Sequence, residues 1–310
     1  MKKNCITVFY ALFTAVLLTT SCGKKEGALN HGMKIDHIMS EETITMNGAP
    51  YYQNPMHLSE QWNWDGKELY RIDHYDSPQY SENYFYDGRH RIIRTTVPAY
   101  SVRTEFSYDG RKLQHIECYV KDELNYTVLF RHDGKKLTGM DWHYSASIAQ
   151  PDVKTALPDA VAASTMGRLT GREIADMMLK TNARVLARRK GGDEPEVISY
   201  DFGWNDGNIT SITCTTEGWN TTIAYDAKKN PYYQLFGYYE MQETGYNFEM
   251  LSENNMLNLN TPDCDYTFQF TYEDDYPSSR TMRYSYEIVN TQNWDSVKVE
   301  YTRKEHYTYK

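Results

Sequence analysis

Four aspartates recur at nearly constant spacing in the first half of the chain, and their carboxylates are the groups most suited to chemistry. Oxygen ligands of this kind bind Ca²⁺, but an EF-hand loop gathers its ligands within twelve residues. Here each aspartate lies in a different segment and precedes a glycine, which favours turn formation, and we predict no metal site. The pairs are Asp65-Gly66, Asp87-Gly88, Asp109-Gly110 and Asp133-Gly134, with a weaker copy at Asp206-Gly207 that is followed 20 residues later by Tyr225-Asp226-Ala227-Lys228.

Other reactive residue types show no catalytic pattern. The nine histidines form no HxH, HExxH or HxxxH pair, so they lack the spacing of a helical zinc site. The sequence contains no GxSxG, P-loop or GxGxxG motif. Acidic residues are spread evenly, so no acid and base pair stands out. We predict no catalytic residue and no cofactor, while a glycan hydrolase assembled from distant carboxylates stays an alternative.

Aromatic residues offer a second kind of chemistry, because tyrosine supplies a broad contact surface with one polar edge. The chain has 28 tyrosines against 10 phenylalanines. They could stack on a glycan or an apolar ligand, or they could simply occupy strands that have one wet and one dry edge. The candidate binding aromatics are Tyr84, Tyr86, Trp142, Tyr144, Tyr232, Tyr233, Tyr238 and Tyr239.

The elements that carry these residues are predicted to be β-hairpins. Asp-Gly supplies the positive φ of a tight turn, and Gly88 and Gly110 are expected to adopt it. Thr104, Phe106 and Tyr108 alternate with polar residues, as expected for a strand with one buried face. Neighbouring hairpins must pair to be stable. The sequence therefore predicts an all-β fold: a long, twisted or curled antiparallel meander, either porin-like or a half-barrel.

One insert interrupts the meander at 145–192, where Ala, Ser and Pro accumulate. Capping-box spacing at Thr170 and apolar residues at helical intervals predict a helix over about 171–189. Strands resume after Val197, a loop is expected over 230–260, and three alternating segments end the chain, with a turn at 273–277.

The first residues have the features of a bacterial lipoprotein signal. Lys2 and Lys3 precede an apolar run from Cys5 to Leu18, which is short for a membrane-spanning helix. Small residues then precede Cys22, as in a lipobox, so we expect a signal peptide over 1–21 and lipidation of Cys22. Ordinary signal peptidase cleavage is the alternative. A polar tether over 22–30 and a single β domain over 31–310 follow.

Charge and cysteine content narrow the partners. A net charge of −9 is unlike that of nucleic-acid-binding proteins, so no nucleic acid is expected. Cys118, Cys214 and Cys264 are far apart and form no CxxC motif. One disulfide could form in an oxidising envelope, but an odd number of cysteines within strands favours buried thiols.

The Tyr-Asp-Gly-Arg units resemble the tyrosine-aspartate (YD) repeats of Rhs-type shell proteins. The wider pattern resembles uncharacterised envelope lipoproteins of the Bacteroidetes type, whose domain of unknown function is described as porin-like. That resemblance rests on the lipobox at Cys22, on 225–231 followed by 251–255, and on 266–277. It implies an outer-membrane location, with the periplasmic or surface face left open, and no catalytic residues.

Three functions follow from these observations. The first is a membrane-anchored, noncatalytic binding or scaffold module whose partner is a glycan or an envelope protein. The second is a carrier of lipid or another apolar ligand inside a curled sheet. The third is the glycan hydrolase.

Overall fold

The computed structural model of the chain describes most of the region after residue 33. The described residues are 34–76, 79–110, 112–134, 136–144, 177–178, 181–182, 184–186, 197–232, 252–262, 264–289 and 296–310. The signal peptide, Cys22 and the tether lie outside them, as do most of the predicted insert and Tyr233, Tyr238 and Tyr239.

Sixteen antiparallel strands form one closed barrel, which confirms the all-β meander and its porin-like form. Each strand pairs with the next along the chain, and β1 pairs with β16. A short 3₁₀ helix, Pro98–Tyr100, joins β5 to β6. The strands are β1 (Ile35–Met46), β2 (Ala49–Asp65), β3 (Glu68–His74), β4 (Tyr80–Tyr86), β5 (Ile92–Val97), β6 (Val102–Asp109), β7 (Lys112–Val120), β8 (Glu123–Asp133), β9 (Lys136–Tyr144), β10 (Val197–Asn205), β11 (Asn208–Cys214), β12 (Trp219–Lys229), β13 (Asn254–Asn260), β14 (Asp265–Glu273), β15 (Tyr276–Val289) and β16 (Ser296–Tyr309).

The strands bury alternate residues in one hydrophobic core that extends around the barrel. Val102, Thr104 and Phe106 of β6 are buried, whereas Arg103 and Glu105 between them are partly exposed and form an ion pair. This is the alternation expected from the sequence. In β6, apolar side chains therefore point into the barrel and charged side chains point outward.

Part of the insert lies inside the barrel. The described helical residues fall within 177–186, inside the predicted helix, and we call them the interior helix. Met178 is fully buried, and Asn182 joins two strands by donating to the Tyr144 hydroxyl at 2.9 Å and accepting from the Tyr200 hydroxyl at 2.7 Å. The interior helix thus occupies the lumen beside β9 and β10.

The two ends of the barrel differ. The Asp-Gly turns after β2, β6, β8 and β10 lie at one end, here called the turn end, together with Lys34 and Lys310, whose backbones bond to each other at 2.8 and 3.2 Å. The β1–β2 turn at Asn47-Gly48 lies at the other end, here called the arm end. Residue 34, which leads to the predicted tether, is thus at the turn end.

Most of the repeated turns form as predicted, and one does not. Gly110 has φ +59°, and the glycines at 66, 134 and 207 are also at positive φ. Gly88 is not, so that prediction was wrong. The Asp87 carboxylate accepts from the backbone N–H of Arg89 at 2.8 Å and of Arg91 at 3.0 Å, which widens the turn and moves the positive φ (64°) to His90.

The aromatic residue of each repeat has a structural task at the turn end. Its side-chain donor bonds to a backbone carbonyl of the preceding strand pair, at 2.7–3.0 Å, and so joins successive hairpins. We call these residues the donor ring. The donor and acceptor pairs are Trp64–Ile35, Tyr86–Leu69, Tyr108–Ile92, His132–Leu113, Trp204–Leu137 and Tyr225–Ile209.

Two further expectations are corrected and one is confirmed. The segment 225–228, expected to be a weak copy of the turn, lies within β12, because Asp226 lacks a following glycine and its carboxylate accepts from the backbone of Asn255 at 3.0 Å. The expected loop over 230–260 contains β13 at its end. Cys118, Cys214 and Cys264 are free thiols, as favoured, and burial raises the pKa of Cys118 to about 11.

Candidate functional site

Four strands continue past their neighbours at the arm end and form a projection. β2 pairs with β3 only from Glu60 onward, whereas its pairing with β1 extends to Ala49. On the other side, β14 pairs with β15 as far as Tyr284, whereas β15 and β16 remain paired to Val289 and Ser296. The order is β2–β1–β16–β15. We call residues 42–57 and 282–303 within these strands the arm.

The inner face of the arm is apolar and aromatic. Directly paired residues share a face of an antiparallel sheet. One row crosses all four strands, and a second row nearer the tip includes Tyr286, with Ile288 beyond it. The rows are Tyr52, Ile44, Tyr301 and Tyr284, then Met46, Val299 and Tyr286.

Several of these side chains are open to solvent. Tyr52 is 46% exposed, Tyr286 43% and Ile288 46%. The rings of Tyr284 and Tyr286 lie side by side, with centroids 6.2 Å apart and an interplanar angle of 17°. Tyr284 also meets Tyr301, with centroids 4.9 Å apart. The inner face therefore presents a continuous aromatic surface, and exposed apolar groups of this kind are typical of binding surfaces.

The outer face of the arm is polar and internally paired. Lys298 bonds to Glu300 at 2.7 Å, and Thr45 donates to Glu300 at 3.2 Å. The arm is thus amphipathic, and its unpartnered apolar face is the inner one.

The arm has two open edges, and β2 forms the first. The N–H of Asn47 donates to the carbonyl of Lys298 at 2.8 Å, which fixes the hydrogen-bonding phase of β1 against β16. Because bonding alternates along an antiparallel strand, even-numbered residues of β1 bond to β2. These β1 residues pair with Tyr52 and Asn54 of β2, so the backbone nitrogens of Pro50 and Pro55, which carry no hydrogen, face the open edge.

β15 forms the second open edge, with a different composition. By the same phase, odd-numbered residues of β16 bond to β15, as in the pair Val299↔Tyr286. Within the part of the chain that the structure describes, no strand pairs with β15 beyond Tyr284 on its other side. The backbone of Ser285 faces Asp265 of β14, so the backbone N–H and C=O groups that point to the open edge are those of Glu287 and Val289.

A buried ion-pair network lies at the base of the arm. Arg303, only 5% exposed, bonds to Glu42, to Asp76 at 3.1 Å and to Glu305 at 2.9 Å. Arg280 bonds to the other oxygen of Glu305 at 2.9 Å. Every carboxylate in this network has an arginine partner, so the charges compensate one another.

Two further groups complete the network. His57 Nε2 lies 2.6 Å from Asp76, and the Tyr307 hydroxyl donates to Glu305 at 3.0 Å. Tyr232 lies against Tyr307, with hydroxyl oxygens 3.3 Å apart. The arm's base is therefore tied to the β3–β4 connection and to the interior of the barrel.

The network shifts the pKa values of Glu305, Arg303 and His57. Burial alone would raise the pKa of Glu305, but Arg280 and Arg303 lower it to about 2. Burial opposes the charge of Arg303, yet Glu305, Asp76 and Glu42 raise its pKa well above the usual value. For His57, burial lowers the pKa, but the hydrogen bonds to Asp76 and to the Pro55 carbonyl, together with the charge of Asp76, raise it above the usual value. A carboxylate held ionised between two arginines, as Glu305 is, is a poor proton donor, so the arrangement suits rigidity better than acid and base catalysis.

The structure places the predicted aromatics mainly inside the barrel. Tyr84, Trp142, Tyr144 and Tyr232 are all less than 9% exposed, and Tyr86 belongs to the donor ring. Trp142 and Tyr144 pack against each other and against Tyr126. The described candidates therefore line the interior and do not form an outward surface.

Sequence reasoning missed the arm and the network. The one sequence signal that could have indicated the network is the alternation in the last segment, which puts Arg303, Glu305 and Tyr307 on one face of the strand together with Val299. Its apolar and charged residues do not identify which face is inward. Open edges depend on where neighbouring strands stop, which a single sequence does not give.

Comparison with known proteins adds no family. Neither the models of protein families nor the curated protein sequences give a match to this chain. Among the described residues, no helix is long and apolar enough to cross a membrane. In the same residues, no group of His, Cys, Asp and Glu side chains is placed to hold a metal ion.

Proposed function

We propose that this protein is a membrane-anchored, noncatalytic binding module of the bacterial cell envelope, and that the arm is its binding surface. The observation that carries the proposal is the exposed aromatic inner face of the arm, at the opposite end of the barrel from Lys34. A lipid on Cys22 would hold the turn end toward the membrane and direct the arm away from it. The predicted partners are a glycan or another envelope protein.

The outside of the barrel supports attachment by a tether. Charged and polar residues such as Arg103, Glu105 and Glu117 occupy the outward positions of β6 and β7, and apolar residues point inward. Barrels that span a bilayer show the reverse arrangement, with an apolar band outside. The charged outer wall therefore favours a barrel surrounded by water, anchored through the lipid alone.

The other two functions have less support. A carrier of an apolar ligand needs an open lumen, whereas the interior helix and Tyr232 occupy part of this one. A hydrolase needs a carboxylic acid that can exchange protons, whereas Glu305 is held ionised.

Binding by the mature lipoprotein in lipid nanodiscs tests the proposal. A glycan array and a panel of purified envelope proteins serve as probes. The double variant Tyr286→Ala/Ile288→Ala should lose binding, because both side chains are exposed on the inner face. Tyr70→Ala is the matched control, since Tyr70 is 47% exposed on the barrel wall. Equal binding by the double variant and the wild type would refute the role of the arm.

A separate measurement tests the noncatalytic part. The purified lipoprotein should not turn over polysaccharide, peptide or ester substrates. Turnover that disappears on changing a single carboxylate would overturn it.

A further inference from the structure

We infer that the partner is a polypeptide, which adds a short extended strand to the open edge of β15 at residues 287–289. This inference rests on the proposed function, and it names the partner class and the mode of contact.

The first argument is the contrast between the two open edges. Free strand edges invite pairing with other chains, and prolines are one of the means by which proteins prevent it. The β2 edge has Pro50 and Pro55 at outward-directed positions. The β15 edge has Glu287 and Val289 there, and each keeps its N–H. One edge is thus guarded, and the other retains the donors and acceptors that a strand needs.

The second argument is the closure of the rest of the sheet. Within the described residues every strand pairs on both sides for at least part of its length, as a barrel requires. No strand of the described chain pairs with β15 beyond Tyr284, so the backbone groups of Glu287 and Val289 face no strand. A strand added here would extend the order β2–β1–β16–β15 by one, in line with β14.

The third argument concerns side chains. Tyr286 and Ile288 face inward beside the edge and are 43% and 46% exposed, whereas Ser285 and Glu287 face outward. An added strand would place alternate side chains next to Tyr286 and Ile288, and the others beside the polar face. The edge therefore fits a segment with apolar residues at every second position. Burial of those residues would complete the apolar face that the arm leaves exposed.

Glu287→Pro is the deciding variant. The N–H of Glu287 points to the open edge, so a proline there removes an outward donor and leaves the bonds to β16 in place. Glu287→Ala is the matched control, because it removes the same carboxylate and retains the N–H. Thermal unfolding of both variants in nanodiscs should resemble that of the wild type, which shows that the arm remains folded.

The probe is a phage-displayed library of random heptapeptides, selected on the full mature lipoprotein and counter-selected on its Glu287→Pro variant. Enriched peptides should carry apolar residues at alternate positions. A fluorescein-labelled copy of the strongest peptide should bind Glu287→Pro at least about tenfold more weakly than Glu287→Ala, because an edge hydrogen bond and close approach are lost. Methylation of the peptide's backbone nitrogens should weaken binding at alternate residues only.

Hydrogen exchange gives an independent readout. Backbone amides of Glu287 and Val289 should exchange fast in the free protein and slow down when the heptapeptide binds. A peptide that binds without protecting these amides would overturn strand addition, and so would a selection that enriches no sequence.

Other outcomes separate this inference from the proposed function. Binding of an arrayed glycan that needs Tyr286 and Ile288 but tolerates Glu287→Pro would refute a strand partner and leave the arm as the binding surface. Self-association that Glu287→Pro abolishes would identify a second copy of the chain and refute a different polypeptide. Binding that none of these variants changes would refute both proposals.

Discussion

Alanine at Gly110 and at Gly88 should have opposite effects on stability, although both glycines occupy the same place in the repeat. A Cβ at either position meets no atom within 4 Å, so packing does not distinguish them. Gly110 has φ +59° and Gly88 does not have a positive φ. Left-handed backbone costs a residue with a Cβ about 1–2 kcal/mol. Where the backbone is compatible, Gly→Ala stabilises by about 0.4–1 kcal/mol through the unfolded chain.

Urea unfolding of the two variants measures this difference. Gly110→Ala should lower the free energy of unfolding by about 1 kcal/mol, and Gly88→Ala should leave it unchanged or raise it slightly. The gap between the variants is then about 1.5–2 kcal/mol, well above the error of matched midpoints. His90→Gly is a third test variant, because His90 has φ +64° and glycine adopts that backbone conformation without strain. Equal destabilisation by both alanines would show that the turn at Asp87 is no wider than the others.

Three further predictions concern the donor ring, the network and the anchor. Tyr86→Phe should lower the free energy of unfolding by about 1–2 kcal/mol, because the carbonyl of Leu69 loses its donor. Tyr70→Phe should be neutral, because the side chain of Tyr70 is exposed, and equal effects of the two variants would contradict the role of the donor ring. Glu305 has a folded-state pKa of about 2 against an ordinary 4.5, so its ionised form should contribute about 3 kcal/mol to the free energy of unfolding, fully present above pH 4.5 and lost as the pH falls toward 2. Glu305→Gln should flatten this dependence of stability on pH, measured by urea unfolding at a series of pH values. An unchanged pH dependence would be inconsistent with the network. Cys22 should take up an alkyne fatty acid in cells, and equal labelling of Cys22→Ala would rule out lipidation there.

The hairpins could be predicted because their causes are local. Asp109-Gly110 and the alternation through Phe106 act within a few residues, and both are confirmed. Gly88 shows the limit of such reasoning, because the Asp87 side chain competes for the backbone N–H groups and redirects the turn. The role of Tyr86 needed a partner from the previous hairpin, which the repeat alone does not specify.

The candidate site could not be predicted because its causes are distant in sequence. The arm exists because β3 and β14 stop before their neighbours do, and the network joins Glu42 to Arg303 across 261 residues. A sequence pattern shows that Arg303 and Glu305 share a face, but not which strands come to meet them. The aromatics that seemed suited to binding, such as Trp142, lie in the core, because an inward strand position buries any large ring.

The pairing of β1 with β16 has a consequence for how the protein is made. Ile38 lies opposite Tyr307, so the first and last strands can pair only when almost the whole chain has been synthesised. Contacts between such distant residues form slowly. During synthesis, a nascent chain without β16 would leave the far edge of β1 unpaired, and Glu42 would lack its arginine. Completion of the barrel is therefore a final step that depends on the C-terminus, and a chain shortened by one strand should be cleared by proteolysis in place of persisting as a smaller barrel.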